Sequence, residues 1–202
     1  VAQPRARHRG ERVPVARDVD ERSYTVGPTL RRLALDTLNH GLLRGLRHEV
    51  LAALVMQVGE TCNFTTLDGA QVLYLDRVEA QWPLRLTLDV GSHVPLHCTA
   101  SGKLFLALMT SAERDALIGE LTLTRMTRRT IATAKALKAE CDSIVKSDHS
   151  CDREEFIAGL IAVAAPVRDA QGQVRAAIAL HAPVARMSLA EAERQLPALR
   201  EA

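Results

Sequence analysis

Residues 160–183, "LIAVAAPVRDAQGQVRAAIALHAP", are two alternating stretches on either side of a turn spanning Asp169 to Gly172. A period of two marks strands, and two such segments joined by a short Gly-containing turn pair antiparallel. The same period occurs earlier, in "TCNFTTL", Asp68-Gly69 and "QVLYLDRVE", which predicts a β-hairpin. "LRLTLDV" (84–90) alternates strictly and predicts a further half-buried strand. Between them lie the helical stretches "TASGKLFLALM", "SAERDALIG" and "TAKALKAECDSIVKS". That crossover makes the late strands partners of the early ones. The predicted class is α+β, an antiparallel sheet of about five to six strands flanked by helices.

The ends follow from punctuation. "RSYTVGP" reads as a short strand, and a helix from Thr29 carries Leu30, Leu33, Ala34 and Leu38 until Gly41 interrupts it. Leu43, Leu46, Val50, Leu51, Leu54 and Val55 then mark one side of a second helix. Ser111 is the expected N-cap of "SAERDALIG", and Ser188 with Glu191 predicts a capping box on a last helix that Pro197 kinks or shortens. Cys141 shares a face with Leu137, Ile144 and Val145.

Composition removes several classes. A chain of 202 residues buries roughly 70% of its unfolded surface. No run approaches the roughly 20 apolar residues of a membrane span, and no signal segment opens the chain, so a cytoplasmic location is expected. Residues 1–20 hold five Arg against Glu11, Asp18 and Asp20, which leaves 21 basic and 21 acidic residues elsewhere. A balanced body has no electrostatic footprint for nucleic acid. Cys62, Cys98, Cys141 and Cys151 form no CxxC pair, so reduced, buried thiols and no cofactor are expected.

"HCTASGK" (97–103) lacks the Walker spacing of Gly, Lys and Ser/Thr. As a nucleophile Cys98 needs a base, and the adjacent His97 points away on an extended segment. If Thr99 caps a helix, Ser101, Leu104, Phe105 and Leu108 point inward and Lys103 outward. The free N–H groups of Ala100, Ser101 and Gly102 then suit a carboxylate, or the small residues merely let this helix end approach the sheet. In the late strands Ala162, Ala164, Ala177 and Ala179 share a face with His181 at its edge. Such a face leaves room for a ligand or lets a helix pack closely. "CDREEFIAGL" reads as a solvated acidic turn, with Asp152 the one group leading into that face.

Taken in order, "SYTVGPTLRRLA", "LDGAQVLYLDRVE", "PLRLTLDVGSHVPLHCTASGKLFLALM" and "DREEFIAGLIAVAAPVRDAQGQVRAAIALHAPVARMS" resemble the IclR family of bacterial transcriptional regulators over about residues 23–200. The resemblance implies a GAF-like effector-binding domain at 42–202, with a wing end and linker helix at 23–41. Residues 1–22 are then a disordered tail or the remnant of a truncated winged helix-turn-helix. It further implies that Leu86, Leu88 and Val94 form an apolar wall, Ala100 and Ser101 donate backbone N–H groups, and Asp152 is a polar contact. Ala162, Ala179 and His181 complete the floor. Where some relatives carry a Cys and two Ser on the floor, this chain has Ala, Ala and His, so a hydroxylated aromatic acid is expected in place of a tiny oxoacid such as pyruvate. The implied partners are a small carboxylate effector, a second copy in a homodimer or tetramer, and operator DNA in the full-length protein only. Two other classes stay open: a thiol hydrolase using Cys98 with His97 or His181, and a zinc-assisted structural site at His93, His97 and a Cys.

Overall fold

A computed structural model describes residues 15–17, 24–27, 29, 30, 33, 34, 37, 41–82 and 88–202. The chain separates into two compact units, Val1–Leu46 and Arg47–Ala202. In the first unit β1 (Val15–Arg17) pairs antiparallel with β2 (Tyr24–Val26), and Thr29, Leu30, Leu33, Ala34 and Thr37 are helical. The expected tail thus holds a strand at 15–17; its other residues, and Leu38, lie outside the described residues. Gly41, at φ +76°, stands just before a helix that begins at Leu42.

α1 (Leu42–Val58) leads into the second unit. There a six-stranded antiparallel sheet is built from β3 (Thr61–Asp68), β4 (Gln71–Val78), β5 (His93–Pro95), β6 (Ser150–Arg153), β7 (Leu160–Arg168) and β8 (Val174–Pro183). Their order is β5-β4-β3-β8-β7-β6, so the two hairpins lie side by side. Gly69, at φ +60°, makes the tight turn of the first hairpin, where Asp68 pairs with Gln71. β5 is not the predicted strand. Residues 83–87 lie outside the described residues, Leu88 and Asp89 are irregular, and Val90 is in a turn. The edge pairing is made instead by Val94 opposite Val72.

α2 (Ala100–Leu108), α3 (Ser111–Glu120) and α4 (Ala134–Ser147) are joined to one sheet face by Leu104, Leu106, Leu137, Cys141, Ala162, Ala164, Ala177 and Ala179. On the other face α1, α5 (Leu189–Glu193) and α6 (Leu196–Glu201) bury Leu51, Leu54, Ala192 and Leu199 against Ile161, Val163, Ile178 and Leu180. Each large buried side chain is worth about 1.5–3 kcal/mol. Alternation in β7 and β8 therefore feeds both cores. α1 is also clamped at its start, where Arg47 and His48 reach the buried Asp76 of β4 at 3.5 and 3.1 Å. Among the described residues no helix is long and apolar enough to cross a membrane.

Several local readings are corrected. Leu46 and Val50 are exposed while Leu51, Leu54 and Val58 are buried, so the packed stripe of α1 is narrower than predicted. Val145 is likewise exposed. α3 is capped by Thr110, whose hydroxyl and amide both engage Glu113, one residue earlier than expected. Ser188 does form the capping box with Glu191, and Pro197 stands in the first turn of α6.

Candidate functional site

The segment "HCTASGK" turns out to be almost wholly buried. Thr99 caps α2, accepting from the Gly102 amide at 3.2 Å and donating to the Pro95 carbonyl at 2.7 Å. The Gly102 amide is therefore taken, whereas no acceptor meets the amides of Ala100 or Ser101 among the described residues. The glycine is dictated by space: a Cβ there would sit 2.3 Å from the Leu96 carbonyl oxygen. Leu104 and Phe105 join the apolar core, as their spacing predicts, and Ser101 is buried.

Lys103 does not point outward. It is 0% exposed and its ammonium meets the carboxylates of Glu155 and, at 3.2 Å, Glu140. Arg153 completes the group at 2.8 Å from Glu140. Burial alone raises the Glu140 pKa, but Lys103 and Arg153 hold it below the ordinary carboxylate value. The physical reason is that α2 lies between the sheet and α4, so neither of its sides reaches water.

The "CDREEF" stretch is not a solvated turn either. It begins as edge strand β6, and Asp152 and Glu155 are both buried. The Asp152 Oδ1 accepts from the amides of Glu155 and Phe156 at 2.6 and 3.4 Å, which fixes the loop beyond the strand. Glu154, at φ +64°, accepts from the Gly159 amide at 2.9 Å. Burial raises the Asp152 pKa to about 7, although the hydrogen bond from the Glu155 amide opposes it.

Strand register sets out the floor. Asp152, Ala162, His181 and Thr61 stand in one row across β6, β7, β8 and β3. Ser150, Ala164, Ala179, Asn63 and Arg77 stand in the next, continuing into β4. Ala162 and Ala179 are completely covered, on the side where α2 packs. His181 keeps some accessible surface although strands flank it on both sides. Burial, assisted by Arg77, lowers its pKa to about 3, so the imidazole is neutral. Val94 is buried in the same core and Leu88 packs half-buried against it, while Leu86 lies outside the described residues.

Sequence reading missed three polar members of this face: Asn63, Tyr74 and Arg77. Arg77 donates to the Asn63 Oδ1 at 3.0 Å, while the wholly buried Nδ2 of Asn63 has no partner among the described residues. Burial, then Arg77 and Asp152 with opposite effects, leaves the Tyr74 pKa at about 12. Register through β8 could have placed Asn63 beside Ala179, since both strands alternate.

Cys98 is not set up as a nucleophile with His97 as its base. Burial, with Asp152 and Glu155 adding to it, pushes this thiol up to about 12, and the His97 Nε2 donates to the Thr124 carbonyl at 2.9 Å. His93 pairs with Asp68 at 2.9 Å, and among the described residues it does not gather with His97 and a cysteine. All four cysteines are buried and unpaired.

A six-stranded antiparallel sheet with α2 packed on a small-residue, polar-edged face defines the class as an α+β domain. The family model for the bacterial transcriptional regulator IclR C-terminal region matches residues 36–202. The chain is 44% identical to the probable transcriptional regulator SauR of Cupriavidus necator, over 92% of this chain and 74% of that protein. It spans 61% and 62% of the length of two further regulators that it matches at 29% and 31% identity. The crystal structure of IclR from Thermotoga maritima superposes with a TM-score of 0.76 at 28% identity, covering 93% of this chain and 76% of that one. The inducer-binding domain of a PobR double mutant from Acinetobacter, in complex with 3-hydroxybenzoic acid, superposes with a TM-score of 0.73 at 28% identity, covering 80% and 95%. The chain belongs to the IclR family of bacterial transcriptional regulators, and its α+β unit is the effector-binding domain.

Proposed function

We propose that this domain senses a hydroxylated aromatic carboxylic acid on the α2 face of its sheet. The observation that carries the reading is Asn63, whose buried Nδ2 faces no acceptor in the row that holds Ala179. A buried donor without a partner costs about 1–3 kcal/mol, which a ligand oxygen recovers on binding. The ligand carboxylate lies on the Ala100 and Ser101 amides at the positive end of α2. Leu86, Leu88 and Val94 wall the ring, Ala162 and Ala179 form the floor, and the hydroxyl reaches Asp152 or His181. Asp152 faces the hydroxyl because an ionised carboxylate there repels a second one. The 3-hydroxybenzoic acid complex of the PobR domain supports this choice of ligand class.

The wider role extends to the family. A regulator of this type works in the cytoplasm without catalysing a reaction, as a homodimer or tetramer, and its full-length form binds operator DNA. The effector prefers one arrangement of the dimer and so shifts the helical segments on either side of Gly41, which sets the spacing of two DNA-binding modules. Calorimetry with 3- and 4-hydroxybenzoate against pyruvate tests the ligand class. Saturable heat from a hydroxybenzoate is expected. Binding of pyruvate with none of either hydroxybenzoate overturns the proposal.

A further inference from the structure

On the sheet face opposite Ala162 and Ala179, the sequence brings together three side chains with metal-ligating atoms. His149 precedes β6, Cys151 lies in it two residues later and on the same side, and Glu193 closes α5. One ligand atom from each lies within 4.8 Å of the other two. The Cys151 Sγ is 3.4 Å and the His149 Nε2 3.6 Å from the same Glu193 Oε1. Zinc bonds of about 2.0–2.3 Å in a tetrahedron separate ligand atoms by roughly 3.3–3.7 Å. Both measured edges fall in that range.

The imidazole is already oriented for the task. The His149 Nδ1 is 3.0 Å from the Ser147 carbonyl oxygen, which can only accept, so Nδ1 carries the proton. The lone pair of Nε2 then faces a carboxylate oxygen, and two acceptors repel unless a cation or a second proton stands between them. A backbone carbonyl holding the other ring nitrogen is the usual support of a metal-bound histidine. Nitrogen, sulfur and oxygen donors select zinc over calcium or magnesium, which take oxygen alone. The Glu193 side chain is 40% exposed, which gives an entry path to the buried thiol.

We propose that His149, Cys151 and Glu193 form a zinc site with a fourth position for water. Bound zinc ties α5 to the edge strand β6. Ala192 of α5 packs in the same core as Leu51 and Leu54 of α1, so the metal stiffens the face on which α1 rests. The site is separate from the α2 face and independent of any effector bound there.

Cobalt(II) titration of the purified 202-residue chain, followed by zinc competition, tests the site. One equivalent of cobalt is expected, with a thiolate charge-transfer band in the near ultraviolet and the visible bands of four-coordinate cobalt. Cys151→Ser removes the charge-transfer band, and His149→Ala or Glu193→Gln weakens zinc by at least about tenfold. Cys98→Ser and His93→Ala leave both readouts unchanged. Should Cys151→Ser fail to fold, Glu193→Gln alters a half-exposed side chain and decides by affinity alone. Absence of saturable cobalt, a band that survives in Cys151→Ser, or unchanged zinc affinity in Glu193→Gln overturns the site.

Discussion

The two faces of one sheet, built from the same strands, are made of different material. Toward α1, α5 and α6 stand Cys62, Ile161, Val163, Ile178 and Leu180, apolar and closed by helices. Toward α2 stand Ala162, Ala164, Ala177 and Ala179 among Thr61, Asn63, Thr65, Ser150, Asp152 and His181. The first face is chiefly apolar packing, with polar contacts at Asp76 and at Cys151. The second buries polar groups, and Asn63 Nδ2 and Ser150 Oγ have no partner among the described residues. Chains break the rules of burial where they serve a ligand, and here most of the breach lies on the α2 side, with Asp76 the buried carboxylate facing α1.

The sharpest way to break this contrast is Lys103→Met. It leaves Glu155 buried without its nearer cation, with only Arg153 at 4.0 Å, and a loss of about 3–5 kcal/mol in denaturant-measured stability is expected. A loss below 1 kcal/mol would mean that the α2 side is held by apolar packing alone.

Next come two opposite pH slopes. The raised Asp152 pKa means that the folded state binds more protons than the unfolded one between about pH 4 and 7, so this group makes stability fall as pH rises. The depressed His181 pKa does the reverse between about pH 3 and 6.5, where the unfolded state binds the extra proton and stability rises with pH. Asp152→Asn should therefore steepen the rise of stability with pH across this window, and His181→Gln should steepen the fall. Chemical denaturation at pH 4, 5, 6 and 7 measures both, and identical slopes in the two variants would contradict the assignment.

On the apolar face, Val163→Thr buries a hydroxyl among Ile161, Ile178 and Leu180 and should cost about 1–3 kcal/mol. The smallest effect belongs to Ser150→Ala on the other face, neutral or stabilising by up to about 1 kcal/mol, because it removes a buried hydroxyl that lacks a partner. Thermal melts of these two variants should differ in sign or nearly so. Equal destabilisation would erase the distinction between the faces.

Most of this architecture was legible as period. Two long alternating pairs separated by helical stretches specify the central four strands and the composition of each face. β5 and β6, of three and four residues, are too short to carry a period and are defined only by pairing with Val72 and Ala162. Lys103 was misread because a charge on a helix ordinarily seeks water; its partners Glu140 and Glu155 stand 37 and 52 residues away, beyond any local pattern. Gly102 is set by the approach of Leu96, a tertiary contact that no turn rule announces. The cap at Thr110 was different, since its signature of Thr with Glu three residues on was present and passed over for the neighbouring serine.

A crystal of the chain soaked with 3-hydroxybenzoate tests the central claim most directly, because it locates the ligand as well as detecting it. The predicted result is a carboxylate within hydrogen-bond reach of the Ala100 and Ser101 amides, with the hydroxyl toward Asp152 or His181 and an oxygen accepting from Asn63 Nδ2. Ligand density on the α1 face, or an α2 face unchanged beside a ligand bound elsewhere, would contradict it.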